Sequence, residues 1–183
     1  MDPLTNFMKK KEYIAVFAGN KVVVNDQAVS STLSNKGSFG SFVNGKLELS
    51  LEEAVYLNQK KELKIYDSSG KQIKFPELVE LARKKQKRFW LRYLVFTDLR
   101  NLGYIPKTAF KYGGDFRVYN KGTTPGKEHA EWILYCSDEH ESVSMLNFSA
   151  MNRVAHSVRK KLLIGVVDDE GSVTYYEINW VRM

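Results

Sequence analysis

The chain has 183 residues, of which 43% are hydrophobic and 13% aromatic, enough for one ordinary core or two small ones. No stretch approaches the roughly 20 apolar residues of a membrane helix, and Met1 to Lys11 lacks the apolar centre of a secretion signal, so a cytoplasmic protein with no membrane partner is expected. A formal charge of +7, with a pI near 9.3, favours encounter with polyanions, nucleic acid among them.

In chain order, Glu12 to Phe17 and Lys21 to Val24 read as strands joined at the Gly19-Asn20 turn signal. The glycine-rich stretch Gly37 to Gly45 lacks the spacing and the Gly-Lys-Ser/Thr ending of a phosphate loop, which argues against a nucleotide site. Ser50-Leu51-Glu52-Glu53 spells a capping box, in which the Ser50 hydroxyl and the Glu53 carboxylate satisfy each other's amides at a helix start. Leu63, Ile65 and Tyr66 form a strand closed by Asp67-Ser68-Ser69-Gly70. Pro76 suits the first turn of a helix that runs into the basic stretch Arg83 to Arg88. Beyond it Leu91, Leu94, Val95 and Leu102 keep a helical period that Gly103 stops.

After Gly103 the pattern changes. Tyr104 to Phe110, Asp115 to Tyr119 and Glu131 to Cys136 read as strands, and Ser149 to Lys160 as a helix. Leu162 to Val167 is a continuous apolar run, the mark of a buried central strand, and Val173 to Val181 is a last aromatic strand. The whole is a mixed α+β chain: a small N-terminal α+β domain over 1–86, then a C-terminal α/β nuclease-like domain over 87–183 with a central mixed sheet flanked by helices. The single cysteine, Cys136, sits in an apolar run and reads as a core residue; no Cys/His spacing fits a metal, and no metal or other cofactor is expected.

Three polar clusters occupy the second half: Lys111 to Tyr119 with its paired glycines, Lys127-Glu128-His129, and Arg153 to Lys161. A tyrosine, a histidine and a lysine can together run a phosphodiester transesterification. One group takes the ribose 2′-hydroxyl proton, one returns a proton to the leaving 5′-oxygen, and a cation stabilises the charge between them. The 2′-hydroxyl is an internal nucleophile, so the scheme needs no metal-bound water. Any chain of this size holds those three residue types, so the spelling of the clusters has to decide.

That spelling is specific. Leu99-Arg100-Asn101-Leu102-Gly103-Tyr104-Ile105, Phe110-Lys111-Tyr112-Gly113-Gly114-Asp115-Phe116-Arg117-Val118-Tyr119, Glu128-His129 and Arg153-Val154-Ala155-His156-Ser157-Val158-Arg159-Lys160-Lys161 resemble, in order and spacing, the catalytic domain of the archaeal-type tRNA-splicing endonucleases. Leu49 to Leu57 resembles the N-terminal domain of the same family. The resemblance implies Tyr119 as general base, His129 as general acid and Lys160 as the stabilising cation, with Lys161 the competing lysine. An ordinary phenol loses its proton only near pH 10, so a tyrosine base needs a cation close by. The implied substrate is precursor tRNA, cut without metal at bulge-helix-bulge sites to leave 2′,3′-cyclic phosphate and 5′-hydroxyl ends. Arg153, Lys111, Arg159 and His156 are the implied RNA contacts, and a second base clamp falls near Tyr175. Ala109 and Gly114 stand where the family spelling has Gly and Ala; both are small, so the turn is expected to survive.

An intron has two ends, so a symmetric oligomer with paired sites is expected. Asp138, Glu139 and Glu141 align with the loop by which one subunit of the family docks on another, and the apolar C-terminal strand around Tyr175, Tyr176 and Trp180 suits a dimer edge. A homotetramer is the expectation, with a heterotetramer containing a structural subunit as the alternative. The rival functions are a non-catalytic subunit of the same complex, an RNA-binding module, and a metal-dependent nuclease.

Overall fold

A computed structural model describes residues 13–109, 113–181 and 183. The chain divides into two compact units, Met1–Lys85 and Gln86–Met183.

The first unit is a six-stranded mixed sheet carrying helices. Its strands are β1 (Tyr13–Phe17), β2 (Val22–Val24), β3 (Ser41–Val43), β4 (Lys46–Leu49), β5 (Leu63–Tyr66) and β6 (Gln72–Ile73), in the order β3-β4-β2-β1-β5-β6. Only β1 and β5 run parallel. Alternate residues Val22, Val24, Leu47, Leu49, Leu63 and Ile65 are buried, the period-two pattern of a sheet with one covered face. Helices α1 (Gln27–Gly37), α2 (Leu51–Gln59) and α3 (Phe75–Lys85) complete the unit. The capping box at Ser50 is formed as its spelling requires, and Glu53 also accepts from the Gly40 amide. Helix α1 has no counterpart in the sequence reading; its start is marked by Asp26, whose carboxylate takes the Val29 amide.

The second unit is a five-stranded mixed sheet between two helices. The strands are β7 (Ile105–Thr108), β8 (Phe116–Tyr119), β9 (Trp132–Asp138), β10 (Lys161–Val167) and β11 (Val173–Ile178), in the order β11-β10-β9-β8-β7. Only β9 and β10 are parallel, and helix α5 (Met145–Ser157) makes the crossover between them. Helix α4 (Phe89–Asn101) lies on the opposite face. A side chain at Gly165 would meet Val95 of α4, whereas Leu162, an odd number of residues away, clusters with Ala155 of α5.

Two expectations shift. The helix expected over 149–160 begins and ends earlier, at Met145 and Ser157, because Ser144 rather than Ser149 caps it by accepting the Asn147 amide. The apolar run Leu162 to Val167 is an interior strand but not the middle one, since β9 holds that place.

One buried ion pair organises this unit. The Arg92 side chain, on the inner face of α4, is only 4% exposed and pairs with Asp115, the residue that enters β8. The other Asp115 oxygen accepts the Cys136 amide of β9 at 2.8 Å. The guanidinium also lies over the Phe116 ring, 4.6 Å from its centroid. Helix α4, β8 and β9 are thus joined at one carboxylate. Beside it Gly114 permits close approach, since a Cβ there would stand 2.5 Å from Ile133 Cγ2. Removing one partner from a buried pair leaves a bare charge in the core. Asp115→Ala should therefore cost about 3–5 kcal/mol in urea unfolding, and the double variant Arg92→Met/Asp115→Ala should recover a large part of that loss.

At the far end of β9 the loop 138–141 is folded onto the β10–β11 turn. The His140 ring meets Asp169 at 3.2 Å, and Glu139 accepts the Asp169 amide at 2.7 Å. The hydrogen bond to Asp169, then the charges of Asp169 and Glu139, raise the His140 pKa. The contact to Asp169 is thus complete below the ordinary histidine value and is lost as pH climbs through the raised one. In a proton NMR titration the His140 midpoint should lie above the ordinary value of about 6.5, and Asp169→Asn should move it down.

Candidate active site

Strands β8, β9 and β10 meet at one end of the sheet, because β8 runs antiparallel to β9 and β9 parallel to β10. Tyr119 is the last residue of β8, His129-Ala130-Glu131 leads into β9, and Lys160 leads into β10. Two backbone bonds fix this end: the Glu131 amide donates to the Val118 carbonyl at 2.9 Å, and the Lys161 amide to the Glu131 carbonyl at 3.0 Å.

Ala130 is the meeting point. It is buried and packs with Tyr119 and Ile105. Its carbonyl accepts a 2.8 Å hydrogen bond from Lys160 Nζ. Tyr119 and Lys160 thus converge on one small residue, and His129 is joined to it through the chain. The Tyr119 ring is held in the wall, yet its hydroxyl takes no partner among the described residues and is not among the oxygens sealed from water. His129 is exposed, on a loop fixed by the Asn120 side chain donating to Glu131 and by the Thr124 amide donating to Glu128 Oε1 at 3.0 Å.

The exit from α5 sets the direction of Lys160. The Arg159 amide donates to the His156 carbonyl and the Lys160 amide to the Ala155 carbonyl, each at 2.9 Å, and Arg159 takes φ +55°. This is a Schellman turn, which ends the helix and reverses the chain into β10. The two candidate lysines then part. Lys161 Nζ is held by Glu131 at 3.0 Å and by Glu177 at 3.3 Å, and the Glu131 hydrogen bond, followed by that of Glu177, raises its pKa. Lys160 has only the neutral Ala130 carbonyl, so its charge has no anion beside it among the described residues.

From this end an open groove of about 660 Å³ runs along α5, lined by Lys160, Arg159, His156, Asn152 and Trp180 among others. A second groove, of about 630 Å³, continues past Arg153 and Phe148 and shares Asn152, His156 and Trp180 with the first. Trp180 stands between them, 64% exposed, with the His156 ring edge-on at 4.6 Å. Of the expected RNA contacts, Arg153, His156 and Arg159 therefore share one surface, while Lys111 lies outside the described residues. Tyr175 is not open to a base. Its hydroxyl donates to Asp98 at 2.9 Å, and burial, then that bond, push its pKa far above the ordinary phenol value. The open aromatic is Trp180, which the sequence reading assigned to a dimer edge; its signal was a tryptophan in a polar, charged neighbourhood.

Asp138, Glu139 and Glu141 sit at the other end of β10, about 20 Å away at strand rise over its length. Glu141 accepts from Arg88 at 2.7 Å and from Ser137 at 3.2 Å, so it shapes the loop from within, and Asp138 takes the His140 amide. Among the described residues the group able to hold a metal is Glu139, His140 and Asp169, on this loop and not in the groove. No helix among them is long and apolar enough to cross a membrane.

Comparison with known proteins gives the family. Residues 89–175 match the family model described as tRNA intron endonuclease, catalytic C-terminal domain, and residues 13–79 match the one described as tRNA intron endonuclease, N-terminal domain. A tRNA-splicing endonuclease of Thermococcus onnurineus is 42% identical over 165 residues, covering 90% of this chain and 94% of that protein. Its namesakes in Methanothermobacter thermautotrophicus (38% over 165 residues; 90% and 95% covered) and Pyrococcus horikoshii (35% over 173 residues; 94% and 99% covered) are similar along their whole length. With both domain models matched and relatives above 30% identity over nearly their full length, the chain belongs to the tRNA intron endonuclease family.

Proposed function

We propose that this protein is a catalytic tRNA-splicing endonuclease that excises introns from precursor tRNA by metal-independent transesterification. The observation that carries the reading is the convergence of Tyr119 and Lys160 on Ala130, with His129 adjoining it in the chain. In this scheme Tyr119, its hydroxyl unpartnered among the described residues, takes the proton of the ribose 2′-hydroxyl. The 2′-oxygen attacks the adjacent phosphorus, and the bond to the 5′-oxygen breaks. His129, on its exposed loop, gives a proton to that leaving oxygen. Lys160, with no carboxylate beside it, meets the negative charge on the non-bridging oxygens. The products are a 2′,3′-cyclic phosphate and a 5′-hydroxyl.

The bulge-helix-bulge substrate lies along α5. Arg153 and Trp180 offer a cation and an aromatic face in the lining of the second groove, a setting in which an unstacked base is held. Lys111, His156 and Arg159 complete the RNA contacts. Two cuts require two centres, and a homotetramer supplies them. The loop at Asp138 and Glu139, shaped by Glu141, is its docking element, and the β11 edge with Tyr176, 56% exposed, is its dimer seam. A cytoplasmic enzyme on precursor tRNA is the consistent setting, and the division of labour between domains follows 1–86 and 87–183.

The purified chain should cut a bulge-helix-bulge RNA at two sites in EDTA, leave cyclic phosphate ends and run as a tetramer in native mass spectrometry. Tyr119→Phe and His129→Ala should each slow single-turnover cleavage by roughly 10²–10⁴ at unchanged circular dichroism. Cleavage abolished by EDTA and restored by magnesium would sink the metal-independent scheme. No cleavage by a folded chain would favour a non-catalytic subunit.

The two lysines separate sharply. Lys160→Ala should lower the single-turnover rate by roughly 10² or more, whereas Lys161→Ala, which removes a cation already neutralised by Glu131 and Glu177, should stay within a few-fold of wild type. Equal losses in the two variants would remove the reason for assigning the charge to Lys160.

A further inference from the structure

Three helices of this protein end in the same hydrogen-bonded turn with different residues at its left-handed position. At the end of α4 it is Gly103, with φ +92°; the Gly103 amide donates to Arg100 and the Tyr104 amide to Leu99. At the end of α2 it is Lys61, with φ +56°; the Lys61 amide donates to Asn58 and the Glu62 amide to Leu57. At the end of α5 it is Arg159. Glycine takes this conformation without penalty, while any residue with a Cβ meets its own carbonyl. Arg159 and Lys61 therefore each carry a small local strain that Gly103 avoids.

Two left-handed cations other than Arg159 have plain accounts. Arg88, with φ +60°, donates to the Cys136 carbonyl and to Glu141, so packing holds it. Lys61 is exposed in the first unit, where a cation at a helix C-terminus suits the dipole. Arg159 shares the exposure and the helix C-terminus of Lys61, and what sets it apart is its place in the groove. Its guanidinium has no partner among the described residues, it is exposed, and it lines the groove beside Lys160. The turn that fixes Arg159 also fixes Lys160, one residue on.

We propose that Arg159 is kept in this strained turn to grip a backbone phosphate of the RNA next to the cut, so that one turn aims two cations at neighbouring phosphates, Lys160 at the reacting one and Arg159 at its neighbour. The inference rests on the RNA-cleaving reading above and adds to it the ligand atom and the reason for the residue type. Local strain kept at a site, where glycine would relieve it, points to use of the side chain. A planar guanidinium suits a phosphate because it donates two parallel N–H bonds.

The test compares Arg159→Gly with Lys61→Gly as an internal control and Arg159→Lys as the conservative variant. Binding is read with a bulge-helix-bulge RNA carrying 2′-deoxyribose at both cuts, cleavage with the all-ribose RNA. Both glycine variants should raise the melting temperature by about 1–3 °C. Only Arg159→Gly should lose affinity, by roughly tenfold or more, and its plot of log affinity against log salt should flatten by about 0.7–0.9, the loss of one phosphate contact. Arg159→Lys should keep the salt slope and recover part of the affinity. Unchanged affinity and slope in Arg159→Gly would overturn the inference and leave the endonuclease reading intact if wild type still cuts. A melting temperature well below wild type in Arg159→Gly alone would overturn it too, since the residue would then serve the fold. Failure of wild type to bind or cut the RNA would sink both readings.

Discussion

The carboxylate of Asp115 is the constraint on which the second unit depends. At the entry to β8, helix α4 and strand β9 each bring it a polar group that water would otherwise satisfy, the Arg92 guanidinium and the Cys136 amide. Burial makes the arrangement binding in both directions. A fully paired guanidinium with its aromatic neighbour is tolerated in the core, while a half-paired one is not. Because Asp115 is the residue that enters β8, the same pairing fixes the register of that strand and therefore the place where Tyr119 ends it. The catalytic tyrosine of the proposed scheme is thus positioned from the opposite end of its own strand, by a residue that touches no substrate.

Strand polarity does the remainder of the assembly. With β9 and β10 parallel, their starts lie side by side, and the antiparallel β8 finishes beside them. Three chain segments, the third some thirty residues beyond the second, then present Tyr119, His129 and Lys160 at one sheet end. The other ends of β9 and β10 carry the loop at Asp138 to Glu141 and the turn at Asp168 to Gly171. Chemistry and the proposed docking element are therefore separated by the length of a strand.

Much of this was legible in the residues. The Ser50 capping box, the Gly103 stop and the alternation of buried residues in β5 are local signals with local causes, and the structure follows them, whereas the short strands β3, β4 and β6 were not read. Helix α1 was not legible, because after Asp26 its sequence is mostly Gln, Ser, Thr and Asn, with Ala28, Val29 and Leu33 too few for an apolar stripe; among its residues only Ser30 and Leu33 are buried. The bounds of α5 were misplaced for a related reason. Its first turn carries Met145 and Leu146, both more than 70% exposed, so apolar periodicity gives no edge there, and its end is turned by an arginine instead of a glycine. The groove itself could not be read, since Trp180 reaches it from beyond the last strand and past the 89–175 span of the catalytic-domain match.

In the proposed scheme a tertiary fact separates the two lysines that spelling leaves open. Lys160 and Lys161 are identical in chemistry and adjacent in sequence. Once the Schellman turn releases the chain into β10, the pleat sends Lys161 to the face shared with Trp132 and Glu177, where two carboxylates wait for it. Lys160, still in the turn, points to the Ala130 carbonyl instead. Both lysines line the groove, so what separates them is not access but the carboxylates that only Lys161 has against it. The turn at Arg159 therefore decides which lysine is left without a carboxylate, and it does so through backbone geometry that no side-chain motif encodes.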